Sequence, residues 1–254
     1  MTEPCPLWLQ PEWPAPVSVR ALATTRLGGV SAGPYDSLNL GDHVGDDPER
    51  VAANRERLQQ AVGTEVALTW LQQVHGVRVV DTAAALASPT PLAADAVWTQ
   101  QPNHACVVMT ADCLPVLFCD RAGTRVAAAH AGWRGLADGV LESTLAALGC
   151  DPAEVLCWFG PAIGATAFEV GGEVRARFVA DLPESTSAFI PPPGGADKWL
   201  ADLYQLARLR LAREGVSAFY GGEHCTHSDA ERFFSYRRDG VTGRMASLIW
   251  LAQP

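Results

Sequence analysis

Hydrophobic and polar positions divide the chain into short apolar runs broken by glycine and polar turns. The densest block is residues 105–135, ACVVMTADCLPVLFCDRAGTRVAAAHAGWRG. Ala105–Met109, Leu114–Cys119 and Arg125–Ala129 are apolar runs of strand length, which predicts buried strands. Val17–Thr25, Val77–Val80, Val155–Phe159 and Met245–Leu251 carry the same signal. Helical spacing of Val51, Leu58 and Val62 predicts a helix opening near Asp47-Pro48, with Asp as the cap and Pro in the first turn. Further helices are expected over Leu136–Leu148, Glu173–Asp181 and Lys198–Glu214, the last with Leu200, Leu203, Ala207 and Leu211 inward. Residues 1–16 read as an extended, proline-rich lead-in, 82–94 as a loop, and Pro191–Gly195 as an exposed loop.

Composition narrows the class. Of 254 residues, 48% are hydrophobic and 19% charged, so much of the chain is interior, in one large domain or two small ones. A net charge of −9 argues against a nucleic-acid partner, which calls for a basic face. No apolar run approaches the roughly 18 residues of a membrane span, and the acid- and proline-containing start is unlike a signal peptide. Seven cysteines, an odd number without a CxxC pair, do not form a disulfide framework. The expectation is a reduced, cytoplasmic enzyme with free thiols and no membrane or obligate protein partner.

The central block breaks its strands at unusual residues. Cys106 and Cys119 sit inside apolar runs, where a cysteine ordinarily packs as a small hydrophobe. Cys113 instead follows Thr110-Ala111-Asp112 at a strand break. His130 ends a strand beside Gly132, and His75 precedes Gly76 at another strand boundary. Two imidazoles and a thiolate suit zinc and leave a fourth position open. The same Cys113, with His130 as base, would equally serve a cysteine hydrolase. Arg26 beside Gly28-Gly29, Arg134 at the start of the helix after Gly132, and Arg238 are candidates for an anion. Six histidines without a His-x-His pair do not meet the demands of a multicopper oxidase.

The segments TTRLGGVSAGPYDSLNLGDHVGDD, WLQQVHG, TADCLPVLF, HAGWRG, GPAIG, FEVG, KWLADLY and RFFSYRRDGVTGRMASLIWL together resemble the YfiH family, also called the laccase-domain or peptidoglycan editing factor family. The likeness runs from about Thr24 to Leu251. It implies an α+β fold, with residues 1–254 forming a single domain as a four-layer α/β/β/α sandwich. It places metal ligands on His75, Cys113 and His130, with zinc preferred to copper. The implied chemistry is phosphorolysis of adenosine, inosine, guanosine and methylthioadenosine, together with deamination of adenosine. In that reading the partners are a nucleoside and phosphate, phosphate sits among Arg26, Arg134 and Arg238, and Asp112 shuttles a proton. The alternative the family offers is a cysteine hydrolase that edits cell-wall precursors. Ala167-Phe168-Glu169 departs from the family, many members carrying cysteine where Ala167 stands.

Overall fold

The computed structural model describes residues 8–191 and 197–253. Asp47 accepts a hydrogen bond from the Glu49 amide at 2.9 Å, and with Pro48 in the first turn it starts the helix Pro48–Val62, as the capping signal predicts. Val51, Leu58 and Val62 are buried on its inner face.

Two sheets make the centre. One has five strands in the order Trp8–Leu9, Val19–Thr24, Met245–Leu251, His104–Thr110 and Ala67–Thr69. The other has six: Ala218–Gly221, Val155–Phe159, Leu114–Asp120, Val126–Ala131, Ala96–Thr99 and Val79–Asp81. Val19, Ala23, Cys106, Val108 and Ile249 from the first meet Leu117, Cys119, Ala128, Leu156 and Trp158 from the second in one apolar layer. The outer face of the five-stranded sheet packs Val107 and Leu248 against Leu58 and Val62 of the first helix. The outer face of the six-stranded sheet is covered by Leu136, Leu141, Val174, Phe178, Leu206 and Leu211 from four helices. The layers therefore run α/β/β/α, as expected. Strands covered on both faces read as unbroken apolar runs, which is why every residue of Leu114–Asp120 and Met245–Leu251 is buried.

Three local expectations need correction. The helix predicted over Leu136–Leu148 is two helices, Trp133–Asp138 and Val140–Leu148. Gly139, at φ +101°, caps the first in a left-handed conformation and starts the second. Within Lys198–Glu214 only Leu203–Arg213 is helical, because Asp202 caps it by accepting from Gln205 N. Lys198–Ala201, including Leu200, is instead a strand between Glu169–Gly171 and Phe189–Ile190. Residues 82–94 are not all loop: Asp81 caps a short helix, Thr82–Leu86, and Leu92–Ala93 is a strand. Of the lead-in, residues 1–7 lie outside the described residues, as do residues 192–195 of the proline-glycine loop. No helix among the described residues is long and apolar enough to cross a membrane.

Candidate metal centre and its cavity

The site grows from the crossing between the two sheets. His104–Thr110 ends in the five-stranded sheet and Leu114–Asp120 begins in the six-stranded one, so Ala111-Asp112-Cys113 bridges them. Asp112 turns the corner at φ +101°. The pairing of Ala131 with Leu114 and His130 with Pro115 then sets the end of one strand beside Cys113. His75, itself at φ +60°, comes from the turn before Val79–Asp81. One ligand atom from each of His75, Cys113 and His130 lies within 4.8 Å of the other two. The thiol of Cys113 is 3.8 Å from His75 Nε2, and the two imidazoles meet edge to face at 4.7 Å. His130 is buried, Cys113 half-buried and His75 exposed.

Asp95, a fully buried carboxylate, holds this arrangement. Its Oδ1 accepts from His75 N at 2.9 Å and from His130 Nδ1 at 2.8 Å. Its Oδ2 accepts from Gly76 N at 2.7 Å and from Val74 N at 3.2 Å. One side chain thus fixes the backbone of the His75 turn and the tautomer of His130, leaving Nε2 of His130 for a ligand. Gly132 keeps the centre open: a Cβ there would stand 2.7 Å from His75 Cδ2 and 3.0 Å from the Cys113 sulfur. A thiolate, two imidazoles, a carboxylate behind one of them and space kept by a glycine fit a borderline-soft metal ion.

The metal-free electrostatics point the same way. Burial opposes the Cys113 thiolate, but the charge and hydrogen bonds of His130, then His75, outweigh it and bring the thiol down to about 6. Burial also opposes a charged His130; the Cys113 charge and the Asp95 hydrogen bond raise that imidazole to about 9. Burial raises Asp95 as well, yet the hydrogen bonds from His130, Gly76 and Val74 keep its carboxyl below the ordinary value.

The centre opens into a cavity of about 380 Å³ lined by His43, Gln73, Met109, Thr110, Tyr236 and Arg244 in addition to the triad. Gln73 is fixed there by both ends of its amide, donating to Met109 O and accepting from Met109 N. Tyr236 is 61% exposed. Arg244 arrives by register: Met245 pairs with Thr110, so the preceding residue faces the bridge that carries Cys113. Burial lowers the Arg244 pKa, against the pull of Cys113 and Asp112.

The other residues singled out in the sequence lie elsewhere. Both carboxylate oxygens of Asp112 are taken, one by the Thr226 hydroxyl and one by the Arg237 backbone N–H, each at 2.6 Å. It pins the helix Tyr236–Asp239 to the bridge and does not line the cavity. Arg238 spends its guanidinium on Asp239 and on the carbonyls of Thr226, His227 and Phe233. Arg26 donates to the carbonyls of Asp36 and Ala230 and lies over Phe234. Arg134 stacks on Trp133 at the surface. None of the three arginines lines the cavity. Sequence reading passed over Asp95 and Arg244; an aspartate opening the apolar run Ala96-Val97 was the available signal for the first.

A family model described as multi-copper polyphenol oxidoreductase laccase matches residues 20–252. The chain is 59% identical over 247 residues to a Pseudomonas aeruginosa protein named purine nucleoside phosphorylase, covering 96% of this chain and 98% of the relative. It is 56% identical over 242 residues to the Escherichia coli purine nucleoside phosphorylase YfiH, covering 95% and 97%. Its fold is similar to the crystal structure of a Neisseria meningitidis protein of family DUF152, with a TM-score of 0.94 at 57% identity over 98% of this chain and 100% of that one. YlmD from Geobacillus stearothermophilus superposes with a TM-score of 0.90 at 30% identity, covering 99% and 98%.

Proposed function

We propose, from the premise that the chain belongs to the family described as multi-copper polyphenol oxidoreductase laccase, that it is a zinc-dependent purine nucleoside phosphorylase with adenosine deaminase activity. The observation that carries this is an open cavity whose floor brings two imidazole nitrogens and a thiol sulfur within 4.8 Å of one another. The names borne by the Pseudomonas and Escherichia relatives agree with it. The oxidase description does not suit the chemistry, since six histidines without a His-x-His pair cannot build several copper sites. Zinc is favoured over copper because two imidazoles and a thiolate with the fourth position open are the ligand set of a catalytic zinc.

In this reading His75, Cys113 and His130 hold the metal and Asp95 fixes their orientation. Zinc bound there supplies Lewis-acid activation at neutral pH. The exposed ring of Tyr236 offers the purine a stacking face at the cavity mouth. In phosphorolysis a phosphate oxygen bonds to C1′ as the C1′–N9 bond breaks. The bonding pair leaves with the purine, which takes up the proton the phosphate releases. In deamination water adds at C6 and ammonia departs.

A second reading rests on the thiol of about 6 beside an imidazole of about 9, the pairing of a cysteine nucleophile with its base. Metal dependence separates the two. Zinc-loaded protein should convert adenosine to inosine without phosphate, and to adenine and ribose 1-phosphate with it; chelation should abolish both and zinc restore them. Turnover that survives full chelation, with a mass adduct on Cys113, would establish the cysteine mechanism instead.

A further inference from the structure

Arg244 is the one arginine or lysine that lines the cavity among the described residues. Its position is built. The stem packs over Gly41, where a Cβ would approach Arg244 Cγ to 2.8 Å. Its amide donates to Asn39 Oδ1 and its carbonyl accepts from Leu40 N. One end of its guanidinium is anchored: Nη1 donates to the carbonyls of Thr242 at 3.1 Å and Gly243 at 3.0 Å. The other edge, Nε and Nη2, has no protein acceptor among the described residues, and no carboxylate there forms an ion pair with it. That contrasts with Arg238, whose donors are spent, and with Arg55, which donates to Leu40 O and pairs with Asp42. An arginine held by one nitrogen presents its remaining N–H groups as a planar fork, and that fork matches two oxygens of one phosphate.

We infer that the Nε/Nη2 edge of Arg244 is the subsite for the phosphate co-substrate, in place of Arg26, Arg134 and Arg238. The assignment rests on the phosphorolysis reading above. It also accounts for the half-buried position of Arg244, where the fork is partly withdrawn from competing water. A phosphate seated there stands in the same cavity as the triad and beside Tyr236, whose ring centre is 6.0 Å from the guanidinium carbon. The base and the attacking oxygen can then be held together. The 5′-phosphate of a nucleotide has the same chemistry, and the test includes it.

The test uses the zinc-loaded full chain as wild type, Arg244→Gln and Arg244→Lys. Inorganic phosphate is titrated calorimetrically, and inosine phosphorolysis is followed over a range of phosphate. Loss of the fork should raise the phosphate KM by about tenfold to a hundredfold and weaken phosphate binding in proportion. Zinc content should change by less than about threefold, and the inosine KM should move less than the phosphate KM. Arg244→Lys should recover part of the loss, and it carries the test if the Gln variant does not fold. Wild-type turnover with an unchanged phosphate KM in either folded variant overturns the subsite. So does Arg244-dependent binding of adenosine 5′-monophosphate without binding of inorganic phosphate. A wild-type chain that binds phosphate through Arg244 but forms no ribose 1-phosphate upholds the subsite and removes the phosphorylase reading.

Discussion

Asp95→Asn changes one atom and tests how the centre is held. The carboxylate is fully buried and takes four donors, two on each oxygen: His75 N and His130 Nδ1 on one, Gly76 N and Val74 N on the other. An amide keeps one acceptor oxygen. Whichever way it is turned, its NH2 faces two N–H groups and neither bond survives. Hydrogen bonds to a charged group are worth about 1.5–3 kcal/mol each, so the substitution should cost about 3–6 kcal/mol of stability. For a chain of this size that is a fall in Tm of roughly 6–24 °C. The His75 turn also loses part of its support, and zinc affinity should drop about tenfold to a hundredfold. Thermal melts of the metal-free protein measure the first effect, and competition with a calibrated chelator measures the second. A variant that melts within about 2 °C of wild type and binds zinc within about twofold would refute the assignment of Asp95 as the post behind the centre.

Gly132→Ala adds only a methyl group, at a backbone φ of −63° that any residue adopts. That methyl would fall 2.7 Å from His75 Cδ2 and 3.0 Å from the Cys113 sulfur; zinc affinity should fall at least about tenfold with the circular dichroism spectrum unchanged, and full retention of zinc would show that the glycine does not hold the space open. In metal-free protein, alkylation of Cys113 by iodoacetamide, read by peptide mass, should rise with pH to half-maximum near 6; His130→Ala should move the midpoint up toward the ordinary thiol value, and a wild-type midpoint near 8.5 would contradict the pairing. The sign for stability follows from the two groups. A depressed thiol stabilises the fold above its unfolded pKa and loses that as pH falls through about 6. A raised imidazole stabilises it below its unfolded pKa and loses that as pH rises through about 9. The metal-free fold should therefore draw on both groups between about pH 6 and 9, keep only the imidazole's share below that range and only the thiol's share above it, as denaturant titration would record.

Much of this molecule is legible in its residues, for physical reasons that also mark where legibility stops. Strands enclosed between two layers carry continuous apolar runs, so Ala105–Met109, Leu114–Cys119 and Met245–Leu251 stand out with bounds close to those observed. A strand that gives way to Asp112-Cys113, or ends on His130 next to glycine, advertises chemistry because packing does not ask for those side chains. The arginines are different. Arg26 sits before a glycine turn, and Arg134 and Arg238 sit in the short helices Trp133–Asp138 and Tyr236–Asp239; nothing local distinguishes a guanidinium spent on carbonyls or an aromatic ring from one that awaits an anion. Arg244 is placed by the pairing of Met245 with Thr110, a relation between residues far apart in the chain. Asp95 likewise acts across long separations, on His75 and His130. Asp112 was legible as unusual but not as structural, since its partners Thr226 and Arg237 lie beyond the reach of any local pattern.

The place of Met245–Leu251 between Val19–Thr24 and His104–Thr110 bears on how the molecule is made on the ribosome. His75, Cys113 and His130 belong to stretches finished long before this strand emerges, so the nascent chain acquires its ligand set first. Until the strand slots in, two flanking strands present unpaired inner edges, and the apolar layer beneath them is open on one side. Unpaired edges of that kind recruit other chains, and pairings this distant along the chain form slowly. Arg244 enters on the same strand that closes the gap, so the cavity wall and the sheet are completed in a single event.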